Sequence, residues 1–66
     1  MDIYVNGERR EASADQTLAT LLSELGLNEQ LVAVEINRHL VRRVTFGERC
    51  LADGDRIEVV EFVGGG

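Results

Sequence analysis

Residues 53 to 66 read DGDRIEVVEFVGGG: a tight turn at Asp53-Gly54-Asp55, a β-branched run, then three glycines. Paired turn formers followed by alternating apolar residues predict a strand entered from a sharp turn. Alternation along it sends Ile57 and Val59 to one face and Glu58, Val60 and Phe62 to the other. The strand runs straight into Gly64, Gly65 and Gly66. Two readings of that terminus stand side by side: a frayed chain end without a task, or a carboxylate carried on a flexible glycine stalk.

Working outward, DIYVNGERREA (2–12) alternates at Ile3 and Val5, reaches Asn6-Gly7 and resumes a polar alternation. Asn-Gly takes the positive φ angles of a type I′ turn, so this segment is an N-terminal β-hairpin. TLATLLSEL (17–25) puts Leu18, Leu21, Leu22 and Leu25 at the spacing of one helical face. Thr17 and Asp15 compete to cap it, and Gly26 suits the left-handed residue that ends a helix. So short a helix is unstable alone and must lay its leucines on a sheet. LVAVEINRHLV (31–41) alternates at Val32, Val34 and Ile36, turns at Asn37-Arg38 and returns as a short strand, His39 to Val41. Arg42 to Cys50 has no clean period and is expected to be a loop with a helical turn. The expected fold is α+β, with one main helix across a mixed sheet of four or five strands. Residues 1–63 form its single domain and 64–66 its tail.

With 66 residues, folding buries roughly 60 % of the unfolded surface, enough for one core. Composition is that of a globular domain. A net charge of −5 disfavours nucleic acid and anionic membranes, both of which require a cationic surface. A basic protein partner is favoured instead. No apolar run approaches the ~20 residues of a membrane span, and no charged-then-apolar signal opens the chain, so a cytoplasmic protein is expected. One cysteine, Cys50, and one histidine, His39, exclude a disulfide framework, an iron–sulfur cluster and a structural zinc site. Cys50 is read as a small core hydrophobe and His39 as an exposed strand residue. Asp53 and Asp55 lack the remaining ligands of a calcium loop and are turn formers. All seven basic residues are arginine. Codon bias explains this most simply; the functional alternative is that a chain with an activated carboxyl terminus gains by lacking side-chain amines.

Taken together, IYVNGE, TLATLLSELG, VAVEIN, LADGDRIEVVEF and the terminal VGGG resemble the sulfur-carrier proteins of thiamine biosynthesis, the ThiS family, within the ubiquitin-like β-grasp superfamily. The resemblance runs the length of the chain. It implies that Gly66 is adenylated by an enzyme similar to ubiquitin-activating enzymes, at the expense of ATP. Sulfur from a donor such as a cysteine desulfurase then displaces AMP, and the resulting thiocarboxylate passes its sulfur to thiazole synthase. It implies no permanently bound cofactor and no catalytic residue of the chain's own.

The residues agree with that chemistry. An α-carboxylate is ionised at neutral pH and can attack an α-phosphate. Glycine at 64, 65 and 66 lets the backbone enter a narrow channel without a Cβ clash. Ordering those residues costs about 1 to 2 kcal/mol each, which contacts from the folded body must offset. Alternation supplies a surface for this: Ala33, Val60 and Phe62 form an outward apolar patch ringed by Glu35, Glu58 and Glu61, expected to dock the adenylating enzyme and the synthase. Two rivals keep the fold and change the task. One is a sulfur carrier for molybdopterin synthesis; the other is a ubiquitin-like modifier or noncovalent interaction module.

Overall fold

Asn6 and Gly7 have φ of 49° and 85°, the left-handed pair of a type I′ turn. They fold Asp2–Val5 (β1) antiparallel onto Glu8–Glu11 (β2), with Val5 opposite Glu8. The coordinates are a computed structural model describing residues 1–63. The tail expected at Gly64, Gly65 and Gly66 lies outside the described residues.

Helix α1 spans Leu18–Glu24. Thr17, not Asp15, caps it: the Thr17 hydroxyl accepts from the Thr20 amide while the Thr20 hydroxyl accepts from the Thr17 amide. This reciprocal pair satisfies donors that a helix start leaves open. At the other end Gly26 has φ 73°, the Leu27 amide donates to Leu22 C=O, and the Gly26 amide donates to Ser23 C=O. That pattern ends a helix through a left-handed glycine. The leucine stripe buries Leu18, Leu21 and Leu22 completely and Leu25 in part.

A single 3-10 turn at Glu29–Leu31 leads into β3, Val32–Ile36. Asn37 and Arg38, both at positive φ, return the chain as β4, His39–Val41. A second 3-10 turn, Arg43–Thr45, is the helical turn expected in the 42–50 stretch. The last strand, β5, is Arg56–Glu61. The sheet order is β2-β1-β5-β3-β4. β5 is therefore the central strand, parallel to β1 and antiparallel to β3, the mixed β-grasp arrangement with α1 on one face.

Ile3, Val32, Val34, Ile36 and Ile57 meet the helix leucines in the core. Phe46 and Leu51, from the stretch without periodicity, are buried there as well. Beneath the β5 turn lies Asp55, whose carboxylate accepts from the Ala52 amide at 2.8 Å and from Asn37 Nδ2 at 3.0 Å. A buried carboxylate is tolerable only when it is paired in this way.

Candidate functional site

The β1–β5 ladder stops at Val5 opposite Ile57, so beyond Val59 the last strand is held mainly by β3. Ala33 pairs with Val60 and Val32 with Glu61. Among the described residues, the last backbone bond is from the Phe62 amide to Leu31 C=O, at 2.7 Å. Val63, the last described residue, is 93 % exposed.

The face of the sheet away from α1 carries the predicted patch. Residues opposed in an antiparallel ladder share a face. The pairs Ala33–Val60, Glu35–Glu58 and Glu35–Leu40 therefore place Ala33, Val60, Leu40 and the two glutamates together, opposite the side on which Val32, Val34 and Ile36 are buried. Val60, Phe62 and Leu40 are 59 %, 50 % and 71 % exposed. Phe62, Leu40 and Ala33 line a concavity together with Arg42 and Arg43. The apolar surface thus has an acidic border at Glu35 and Glu58.

Glu61 does not belong to this border. It is in register with the fully buried Val32, so the pleat turns its side chain to the helix face. There it lines a cleft with Val5, Leu25, Leu27 and Val59.

Leu40, on the outward face, and Arg42 and Arg43, which line the concavity, are positions that the sequence reading missed. Leu40 was within reach: a two-residue turn at Asn37-Arg38 pairs Ile36 with His39, so Leu40 must oppose the outward Glu35. The arginines follow a strand end, where alternation gives no direction.

Glu35 and Glu58 face each other across β3 and β5, and neither lies within ion-pair distance of a cation among the described residues. Two like charges directly opposed destabilise a sheet, so cationic groups of a partner would be favoured there. Cys50, expected in the core, is exposed. Its backbone bridges Thr17 while the neighbouring Leu51 takes the buried position. His39 is an exposed strand residue. Among the described residues, no three His, Cys, Asp or Glu gather as metal ligands, and no helix is long and apolar enough to cross a membrane.

Comparison with known proteins puts this architecture in context. The ThiS family matches residues 3–66. The sulfur carrier protein ThiS of Bacillus subtilis is 40 % identical over 65 residues, covering 97 % of this chain and 98 % of that protein. A thiazole synthase of Paramagnetospirillum magneticum is 42 % identical over all 66 residues, although the chain spans only 20 % of that protein's length. The crystal structure of the thiamine biosynthesis protein ThiS of Geobacter metallireducens superposes with a TM-score of 0.82 at 32 % identity, each chain covered completely. On fold and sequence alike, the chain belongs to the ThiS family.

Proposed function

We propose that this protein is a sulfur carrier of thiamine biosynthesis, acted on by other enzymes rather than being one. The Gly66 carboxylate is adenylated by an adenylyltransferase using ATP. A persulfide supplied by a donor such as a cysteine desulfurase displaces AMP, a thiol reductant cleaves the S–S bond of the resulting acyl disulfide, and the terminal thiocarboxylate so released delivers sulfur to thiazole synthase in the cytoplasm. The observation that carries the reading is the end-to-end match to a protein named as a sulfur carrier, joined to a fold whose central strand leads to the terminal glycines. The match of this chain to one fifth of a thiazole synthase supports thiazole synthase as the acceptor over the molybdopterin branch. The outward patch of Ala33, Leu40, Val60 and Phe62, with Glu35 and Glu58, is the handle both partners grip.

Incubation of the full chain with ATP, the cognate adenylating enzyme and a sulfur source tests this by intact mass. Replacing one carboxylate oxygen by sulfur adds about 16 Da. Mass growth into denaturant-resistant conjugates with other proteins would instead identify a ubiquitin-like modifier. No change in mass would leave only the noncovalent module.

A further inference from the structure

Three glycines extend a chain by no more than roughly 10 Å. Where the terminal carboxylate can go is therefore fixed largely by where, and in which direction, the backbone leaves the sheet. Among the described residues, the last bond before that exit is from the Phe62 amide to Leu31 C=O. Its acceptor sits at the end of the 3-10 turn Glu29–Leu31, an element whose hydrogen-bond geometry is poorer than that of an α-helix. Asn28 caps the turn through the Gln30 amide at 2.9 Å. The stronger restraint comes from across the molecule. Arg43 donates from Nε to Glu29 C=O at 2.7 Å and from Nη2 to Val32 C=O at 2.9 Å.

The guanidinium thus grips the carbonyls of Glu29 and Val32, which bracket Leu31, and holds the segment that receives Phe62. Arg43 itself is held by the core, since it opens the 3-10 turn that ends at the fully buried Phe46. Two donors in one rigid plane are required for such a grip. An ammonium on a flexible stem offers no equivalent fork.

We infer that Arg43 is a positioning residue that fixes the point and direction from which residues 64–66 depart, so that partner enzymes meet the terminal carboxylate at a defined origin. The functional half of this inference rests on the sulfur-carrier reading; the structural half does not.

The test is Arg43→Lys in the full chain, which keeps the charge and most of the stem. Amide hydrogen exchange by NMR is read as the ratio of Phe62 to Tyr4, whose amide donates to Asp55 C=O at the other end of the sheet, so that global destabilisation cancels. Phe62 exchange rising at least about tenfold over Tyr4 supports the clamp, and an unchanged ratio overturns it. In steady-state adenylation with the purified cognate enzyme and ATP, kcat falls about five- to tenfold while KM for the carrier stays within about twofold, because every side chain of the docking patch is retained while presentation of the terminus is lost. A loss confined to KM overturns the positioning role. If the native chain itself is not adenylated, the carrier reading fails and the exchange ratio alone decides the clamp. Should Arg43→Lys not fold, the same ratio measured in Arg43→Gln decides it.

Discussion

Asn6 pairs with Val59 as though it were one more residue of β1. Its Oδ1 accepts from the Val59 amide at 2.8 Å and its Nδ2 donates to Val59 C=O at 3.2 Å. The backbone cannot do this itself, because at Asn6 it has already swung to φ 49° to make the hairpin turn. One side chain therefore serves the turn and prolongs the β1–β5 ladder by two residues toward the glycines. Asn6→Gly keeps the positive φ but removes both bonds. It should cost about 1–2 kcal/mol of stability and speed exchange at the Val59 amide more than at Tyr4. Unaltered Val59 protection would show the amide pair to be dispensable.

The hairpin, the leucine helix and the strand pair were legible because each is written in short-range chemistry. Asn-Gly dictates one turn, leucines three and four apart dictate one helical face, and alternation dictates which residues of β3 are buried. The 3-10 turn at Glu29–Leu31 left no such trace, since its restraints are Asn28 beside it and Arg43 across the molecule. Glu61 lies on the helix face although Val60 and Phe62 flank it in sequence, because the pleat separates neighbours and sets Glu61 in register with buried Val32. The position of Cys50 depended on a two-residue bridge to Thr17, a contact set by tertiary structure alone.

Phe46 is the largest fully buried side chain, and it comes from the least regular stretch of the chain. Its backbone accepts from the Ala19 amide at 3.0 Å, so the aperiodic crossover is fastened to α1 as well as packed beneath it. Phe46→Ala should cost about 3–5 kcal/mol, a large share of the 5–15 kcal/mol typical of a domain. Val44→Ala, two residues away at a site 78 % exposed, should change stability by no more than about 0.5 kcal/mol. Thermal melts followed by circular dichroism compare the two. Equal midpoints would mean that the crossover is peripheral to the core.

The opposed Glu35 and Glu58 form a unit whose value should reverse between the free and docked protein. Alone, the pair is repulsive, so Glu58→Gln should stabilise the fold by a few tenths of a kcal/mol, about the scale of a cross-strand pair. Against a basic partner surface the same change removes attraction. Association with the adenylating enzyme should slow at low ionic strength, and the difference should shrink as salt rises. Stopped-flow association over a salt series together with urea unfolding measures both halves. A variant that is more stable and associates as fast as the native protein would remove the acidic border from the docking surface.

Phe62, just past the end of β5, and Leu40, on β4, line one concave surface and are half and more than two-thirds exposed. Neither side chain is needed to fill the core, so truncation of either should lower the melting temperature by only a few degrees, in line with about 1 kcal/mol or less for exposed positions. In a docked complex both would be desolvated, and loss of an apolar anchor from the centre of an interface commonly costs more than about 1 kcal/mol. Phe62→Ala and Leu40→Ala should each raise KM for the carrier in adenylation while leaving kcat nearly unchanged, the reverse of the pattern expected from Arg43→Lys. If Leu40→Ala matches the native protein while Phe62→Ala does not, the partner contacts the root of the tail and not the sheet face, and the patch contracts to Phe62 and Val60.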